Sequence, residues 1–179
     1  SVESAIDFSH ATSPVATFSR INQTRKPGSV GVPIPGVEVQ IMDDKDEFAP
    51  IGQLGEVVIK GHNVMKGYYQ KPESTSICIR YSWLHTGDVG KLDEDGYLYI
   101  VDRIKDLIIR NGFNIYPREL EDILISHPSI SLTSVIGIPD QVKGEEVKAF
   151  VVLKKGASLT PEEIIAWSRS NMADFKYPR

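Results

Sequence analysis

Two segments hold side chains whose types and spacing could do chemistry. In YSWLHTGDVG (81–90) a Thr-Gly turn presents Asp88 just before a strand-like run. A carboxylate fixed there can accept both hydroxyls of a ribose, or it can simply cap its own turn. Fifteen residues later, at the end of YLYIVDR (97–103), stands Arg103. Its rigid fork of five donors suits ribose or phosphate oxygens, and it equally suits a surface ion pair with Asp102. Other chemistries are poorly served. Histidines 10, 62, 85 and 127 lack metal-ligand spacing, so no metal site is expected, and His85 reads as structural support beside the turn. Cys78 is the single cysteine, which excludes an internal disulfide, favours a reducing compartment and reads as a half-buried strand or loop thiol.

The elements that must position these residues show in the apolar periodicity. Residues 1–35, rich in Ser, Thr, Pro and Gly, read mostly as loop. GVEVQIM (36–42) puts Val37, Val39 and Ile41 on one face of a strand, and GEVVIKG (55–61) gives a second strand between Gly brackets. KLDEDGYLYIVD (91–102) predicts two strands joined at Asp95-Gly96, and DLIIRNGFNIYP (106–117) a hairpin turning at Asn111-Gly112. Pro117 opens a helix whose Leu120, Ile123 and Leu124 share a face, and His127-Pro128 ends it. SLTSVIGI (131–138) and EVKAFVVL (146–153) are β-branched strands separated by the polar loop PDQVKGEE (139–146). Thr160-Pro161-Glu162-Glu163 starts a last helix running to about Met172. The fold class is therefore α+β: an antiparallel β-subdomain over 1–104, then a small α+β domain over 105–179.

With 41% hydrophobic and 25% charged residues, the chain falls in the globular range and can form a core. A net charge of −4 argues against nucleic acid as a partner. No run approaches the ~18–20 apolar residues of a transmembrane helix. The N-terminal SVESAIDFSHATSPV has neither the basic flank nor the apolar run of a signal peptide. A cytoplasmic location is the expectation.

Taken in order, TGD (86–88), DGYLYIVDR (95–103) and KDLIIRNGFNIYPRELE (105–121) resemble successive motifs of AMP-forming acyl-CoA synthetases, of the adenylate-forming superfamily. KPGSVGVPIPGVEVQI (26–41) and IGQLGEVVIKGHNVMKGYYQKPE (51–73) resemble the preceding segments of that family. VIGIPDQVKGEEVKAFVVLK (135–154) and DFKYPR (174–179) resemble its C-terminal domain. The resemblance covers residues 13–179, and GFNIYPRELED looks most like bacterial fatty acyl-CoA ligases.

That resemblance implies a carboxylic acid, fatty in type, activated by ATP to an acyl-adenylate and handed to coenzyme A. It implies Asp88 on the ribose hydroxyls, Arg103 near ribose and phosphate, and Lys105 at the hinge of a lid formed by 105–179. It further implies Asn111, Gly112 and Phe113 as the turn facing the coenzyme A arm, and Lys143 as a cation for its phosphates. The family's phosphate loop lies upstream. DFSHAT (7–12) stands where the Glu that helps hold Mg²⁺ should be, so the origin of residues 1–12 is open. The adenylation lysine is expected some twenty positions beyond Arg179, and Lys176 is not it. The chain thus reads as a C-terminal fragment of the enzyme, inactive alone, whose partners are ATP, CoA, the acid and its own N-terminal domain. Homodimerisation is compatible with this. Two other readings stand beside it: an adenylation domain of a peptide synthetase or luciferase-like enzyme, and a non-catalytic nucleotide- or CoA-binding module.

Overall fold

The computed structural model describes residues 11–12, 15–19 and 25–179. DFSHAT up to His10, and Ser13-Pro14, lie outside the described residues. The chain divides into two compact units, Ser1–Ile104 and Lys105–Arg179.

In the first unit, β1 (Thr17–Phe18) pairs antiparallel with β2 (Val32–Pro33). The segment read as loop thus contains a short ladder, too brief to show a period. A larger sheet follows from β3 (Val37–Met42), β4 (Gly55–Gly61), β5 (Ile79–Arg80), β6 (Trp83–Leu92) and β7 (Leu98–Arg103). All its pairings are antiparallel, in the order β3-β4-β6-β5, with β7 also on β6. Val37, Val39 and Ile41 are buried as the alternation predicts. In β4, by contrast, Val57, Val58 and Ile59 are all buried. Val57 and Ile59 join the main core, while Val58 packs with Met42 and Trp83. The sheet is therefore covered on both faces there, at about 1.5–3 kcal/mol for each such side chain.

Before β5 the chain forms a short helix, α1 (Pro72–Cys78), that the periodicity does not announce. No residue of α1 is buried, so it has no apolar stripe to read. Cys78 is its last residue, half-buried, rather than part of a strand or loop. The β6–β7 connection also departs from a tight hairpin. Of Asp95 and Gly96 only Gly96 takes positive φ, and the Asp93 carboxylate caps the N–H groups of Asp95 and Tyr97. The result is a wider loop, also held by Lys26 on Asp93 at 2.5 Å and on Asp95 at 2.6 Å.

The second unit opens with a 3₁₀ turn, Ile104–Asp106, reaching back one residue across the boundary. It contains β8 (Ile108–Arg110), β9 (Phe113–Ile115), α2 (Pro117–Ile125), β10 (Ile130–Asp140), β11 (Gly144–Leu153) and α3 (Pro161–Asn171). The sheet order is β10-β11-β8-β9, again antiparallel. Asn111 (φ 52°) and Gly112 (φ 78°) both take the left-handed conformation that a two-residue type I′ turn requires. Leu120 and Leu124 of α2 pack with Ile108, Ile115, Ile130, Val135 and Val147. Much of the polar 139–146 stretch is strand, because β10 and β11 continue pairing to Asp140↔Gly144. Thr160 and Glu163 close a reciprocal capping box on α3. The expected α+β class holds in the mainly antiparallel sheets and three helices found among the described residues.

Candidate functional site

Asp88 and Arg103 come together within the first unit. They are directly opposed across β6 and β7, with Arg103 Nε 3.3 Å from Asp88 Oδ1. The Asp88 side chain is 14% exposed and that of Arg103 is 61% exposed, so the pair sits at the rim of the sheet. The Thr-Gly-Asp segment is not a turn before a strand, as its composition suggested, but a distortion inside β6. Gly87 has φ +74°, and the register shifts on both edges of β6, between Glu56 and Val58 and between Val89 and Gly90. Pairing along both edges carries the strand through, and the irregularity re-aims the carboxylate.

A set of hydrogen bonds fixes this segment. Thr86 Oγ1 donates to the Val57 carbonyl at 2.8 Å and accepts the Asp88 N–H at 3.1 Å. Glu56 Oε1 accepts the Gly87 N–H at 3.0 Å, and its Oε2 lies 2.8 Å from Nδ1 of the buried His85. Arg80 Nη2 lies 2.7 Å from the same Nδ1 and 3.0 Å from Asp46 Oδ1. One ring nitrogen cannot donate to Glu56 and accept from Arg80 together. The carboxylate, a far stronger acceptor, favours Nδ1–H pointing at Glu56. His85 therefore supports the Asp88 segment through Glu56.

The second unit gathers Asn111, Gly112, Phe113 and Lys143. The Asn111 N–H donates to the Lys143 carbonyl at 2.8 Å, which joins the β8–β9 turn to the β10–β11 loop. Phe113 is half exposed and stacks on Phe175 with ring centroids 4.8 Å apart. The Lys143 ammonium is bonded to Glu146. Burial pushes the Glu146 carboxyl up, but the bonds from Lys143 and the Val147 N–H and the charge of Arg110 outweigh it and hold it below its ordinary range. Asp140 caps the loop by accepting from the N–H groups of Val142 and Lys143. The Lys143 N–H first, then that of Val142, lowers the Asp140 pKa. Lys105 is exposed in the 3₁₀ turn at the unit boundary.

Two contributors escape sequence reasoning. Glu56 looks like an outward strand residue, and Arg110 looks like a polar flank of a turn. In fact Arg110 is 1% exposed. Its signal was the alternation Ile108 in, Ile109 out, which places residue 110 inward. Among the described residues no group of three His, Cys, Asp or Glu side chains could hold a metal ion, so they offer Mg²⁺ no ligand cluster. No helix among them is long and apolar enough to cross a membrane.

Comparison with known proteins bears on this geometry. Residues 11–69 match the AMP-binding enzyme family, and residues 119–179 match the AMP-binding enzyme C-terminal domain. A long-chain-fatty-acid–CoA ligase of Bacillus subtilis is 48% identical over 168 residues, 93% of this chain and 30% of its own length. ATP-bound MatB from Rhodopseudomonas palustris superposes with a TM-score of 0.89 at 38% identity, over 93% of this chain and 33% of that one. The o-succinylbenzoate coenzyme A synthetase of Bacillus subtilis in complex with AMP gives 0.74 at 37% identity, over 86% of this chain and 31% of that one. The chain thus spans about a third of the length of the proteins it matches. With both family matches in chain order along it, this chain belongs to the AMP-binding, adenylate-forming enzymes.

Proposed function

We propose that this chain is part of an acyl-CoA ligase that activates a carboxylic acid, fatty in type, in two steps. In the first, a carboxylate oxygen attacks the α-phosphorus of ATP, the bond to the bridging oxygen breaks, and pyrophosphate leaves. In the second, the coenzyme A sulfur attacks the acyl carbon of the adenylate. The carbon–oxygen bond to phosphate breaks, AMP departs, and the thiol proton passes to solvent or a base.

The 1–104 unit closes the large AMP-binding domain and contributes the nucleotide contacts. Asp88 accepts the ribose hydroxyls, and Arg103 swings its exposed fork from Asp88 to ribose and α-phosphate oxygens. The 105–179 unit is the lid, and the backbone at Lys105 takes up its rotation between the two steps. Gly112, lacking a Cβ, lets the Asn111–Phe113 turn approach the pantetheine arm closely. Lys143 meets coenzyme A phosphates while Glu146 orients its ammonium. Mg²⁺ would enter with ATP, its ligands lying elsewhere than in the described residues.

The observation that carries the reading is the cross-strand Asp88–Arg103 pair, held at 3.3 Å on a bulged strand braced from β4. Hydrogen bonds to a charged partner are worth about 1.5–3 kcal/mol each. Asp88→Ala in the full-length protein should therefore weaken AMP binding by about 10- to 100-fold in calorimetry. AMP affinity unchanged in a folded Asp88→Ala protein would sink the nucleotide assignment. Absence of CoA-dependent AMP release from ATP and fatty acids would sink the ligase assignment.

A further inference from the structure

Arg110 is a fully buried cation at a position where the strand pattern calls for an apolar residue. Ile108 and Arg110 both face inward from β8, and each is 1% exposed. Taking a guanidinium out of water is costly, and well-packed hydrophobic residues often stabilise such positions as well or better. Its contacts show what it does instead. Nη1 donates to the Phe175 carbonyl at 3.1 Å and to the Tyr177 carbonyl at 3.2 Å. Nε lies 3.0 Å from Glu146 Oε1, a charge contact rather than an in-line hydrogen bond. The other oxygen of Glu146 accepts from Lys143.

Arg110 thus touches both walls of one small surface. On one side Glu146 also pairs with the Lys143 ammonium, and the Lys143 carbonyl accepts the Asn111 N–H. On the other, the 175–177 backbone carries Phe175 under the ring of Phe113. Lys176, within the same segment, reaches both oxygens of Glu119 at 2.7 Å near the start of α2. The segment is pinned from β8, from the β8–β9 turn and from α2.

We propose that Arg110 is a positioning residue for the coenzyme A step, setting the Phe113 turn and the Lys143 ammonium relative to each other through the 175–177 backbone and Glu146. This rests on the coenzyme A role given above to Asn111–Phe113 and Lys143. Without Arg110, the Phe175 and Tyr177 carbonyls lose their donor, Phe113 loses its fixed support, and Lys143 becomes the only cation on Glu146. The nucleotide contacts at Asp88 and Arg103 are unaffected.

The test uses the full-length protein in three forms: Arg110→Met, Arg110→Lys, and Arg110→Met combined with Glu146→Leu. The double substitution removes both charges and leaves neither buried alone, so it is expected to cost less stability than Arg110→Met. Two things are measured: hydrogen exchange of the 173–177 amides, and the KM for CoA against the rate of acid-dependent ATP–pyrophosphate exchange. We expect faster amide exchange in the double variant and a CoA KM raised by about 10- to 100-fold, the scale of a misplacement near 1 Å. Pyrophosphate exchange should stay within about twofold, and Arg110→Lys should recover part of the KM. An unchanged CoA KM in a folded double variant overturns the proposal. So does an equal fall in both half-reactions, since that marks a structural loss only. If the unsubstituted protein shows no saturation by CoA, the ligase reading fails and this proposal falls with it.

Discussion

Glu56 shows how one side chain can set a site without facing it. Its two oxygens join the Gly87 N–H and the His85 ring, so the Asp88 segment and a buried imidazole share one anchor. Truncation leaves both donors unpaired, at about 1–3 kcal/mol each. Glu56→Ala should therefore lower the urea midpoint and also weaken AMP binding, whereas Glu56→Gln, which keeps an acceptor for Gly87, should lose less of both. Equal losses from Ala and Gln would show that charge alone, not the Gly87 bond, is what matters. Asp88 and Arg103 stood out as candidates because a Thr-Gly-Asp segment and a strand-end arginine are chemically conspicuous, and the structure pairs them. Glu56 did not, because GEVVIKG reads as an ordinary alternating strand and its partners sit 29 and 31 residues away.

Elements were legible in proportion to the length of their apolar pattern. β3, α2 and the β10–β11 pair each show a period that burial then uses, and β4 shows its apolar run although burial takes both of its faces. The α3 capping box was visible as Thr160 and Glu163, and it makes a direct prediction. Thr160→Ala removes the acceptor for the Glu163 N–H and should cost about 1 kcal/mol, read as a lower urea midpoint with an unchanged slope. Gly112→Ala tests the other readable device. A Cβ there meets nothing within 4 Å, so its cost is only that of a positive φ, about 1 kcal/mol. A loss well beyond that would mean the turn is packed more tightly than its open surroundings show. What stayed hidden was short or paired at a distance. α1 buries no residue, β1 and β2 have two residues each, and the ends of the β10–β11 hairpin are polar strand made regular by each other.

At the scale of the whole molecule, charge is tied down in both units, and this fixes how stability must follow pH. Asp43 and Asp93 in the first unit, and Asp140 and Glu146 in the second, all have pKa values below their ordinary range. Backbone N–H groups lower Asp43 and Asp140, and Lys26 lowers Asp93. Glu146 is held down by Lys143, Val147 N–H and Arg110 against its own burial. A carboxylate depressed by folding contributes stability that is present above its unfolded pKa, near 4, and is lost as pH falls through the folded value. Lys26 is raised by Asp93 and Asp95, so its contribution is present below about pH 10 and is lost only in stronger alkali. Tyr99, raised by burial and by Asp93, must likewise ionise on unfolding before it does in the fold. The urea midpoint should therefore hold a plateau between about pH 5 and 9 and fall steeply below about pH 4. Because Glu146 faces Arg110 and Lys143 from inside the second unit, its protonation leaves a buried guanidinium without its counter-charge. The 173–177 amides should thus lose exchange protection as the pH falls through the range in which Glu146 protonates. A midpoint that stays level or rises from pH 5 to pH 3 would show that these carboxylates are no better satisfied in the fold than in the open chain.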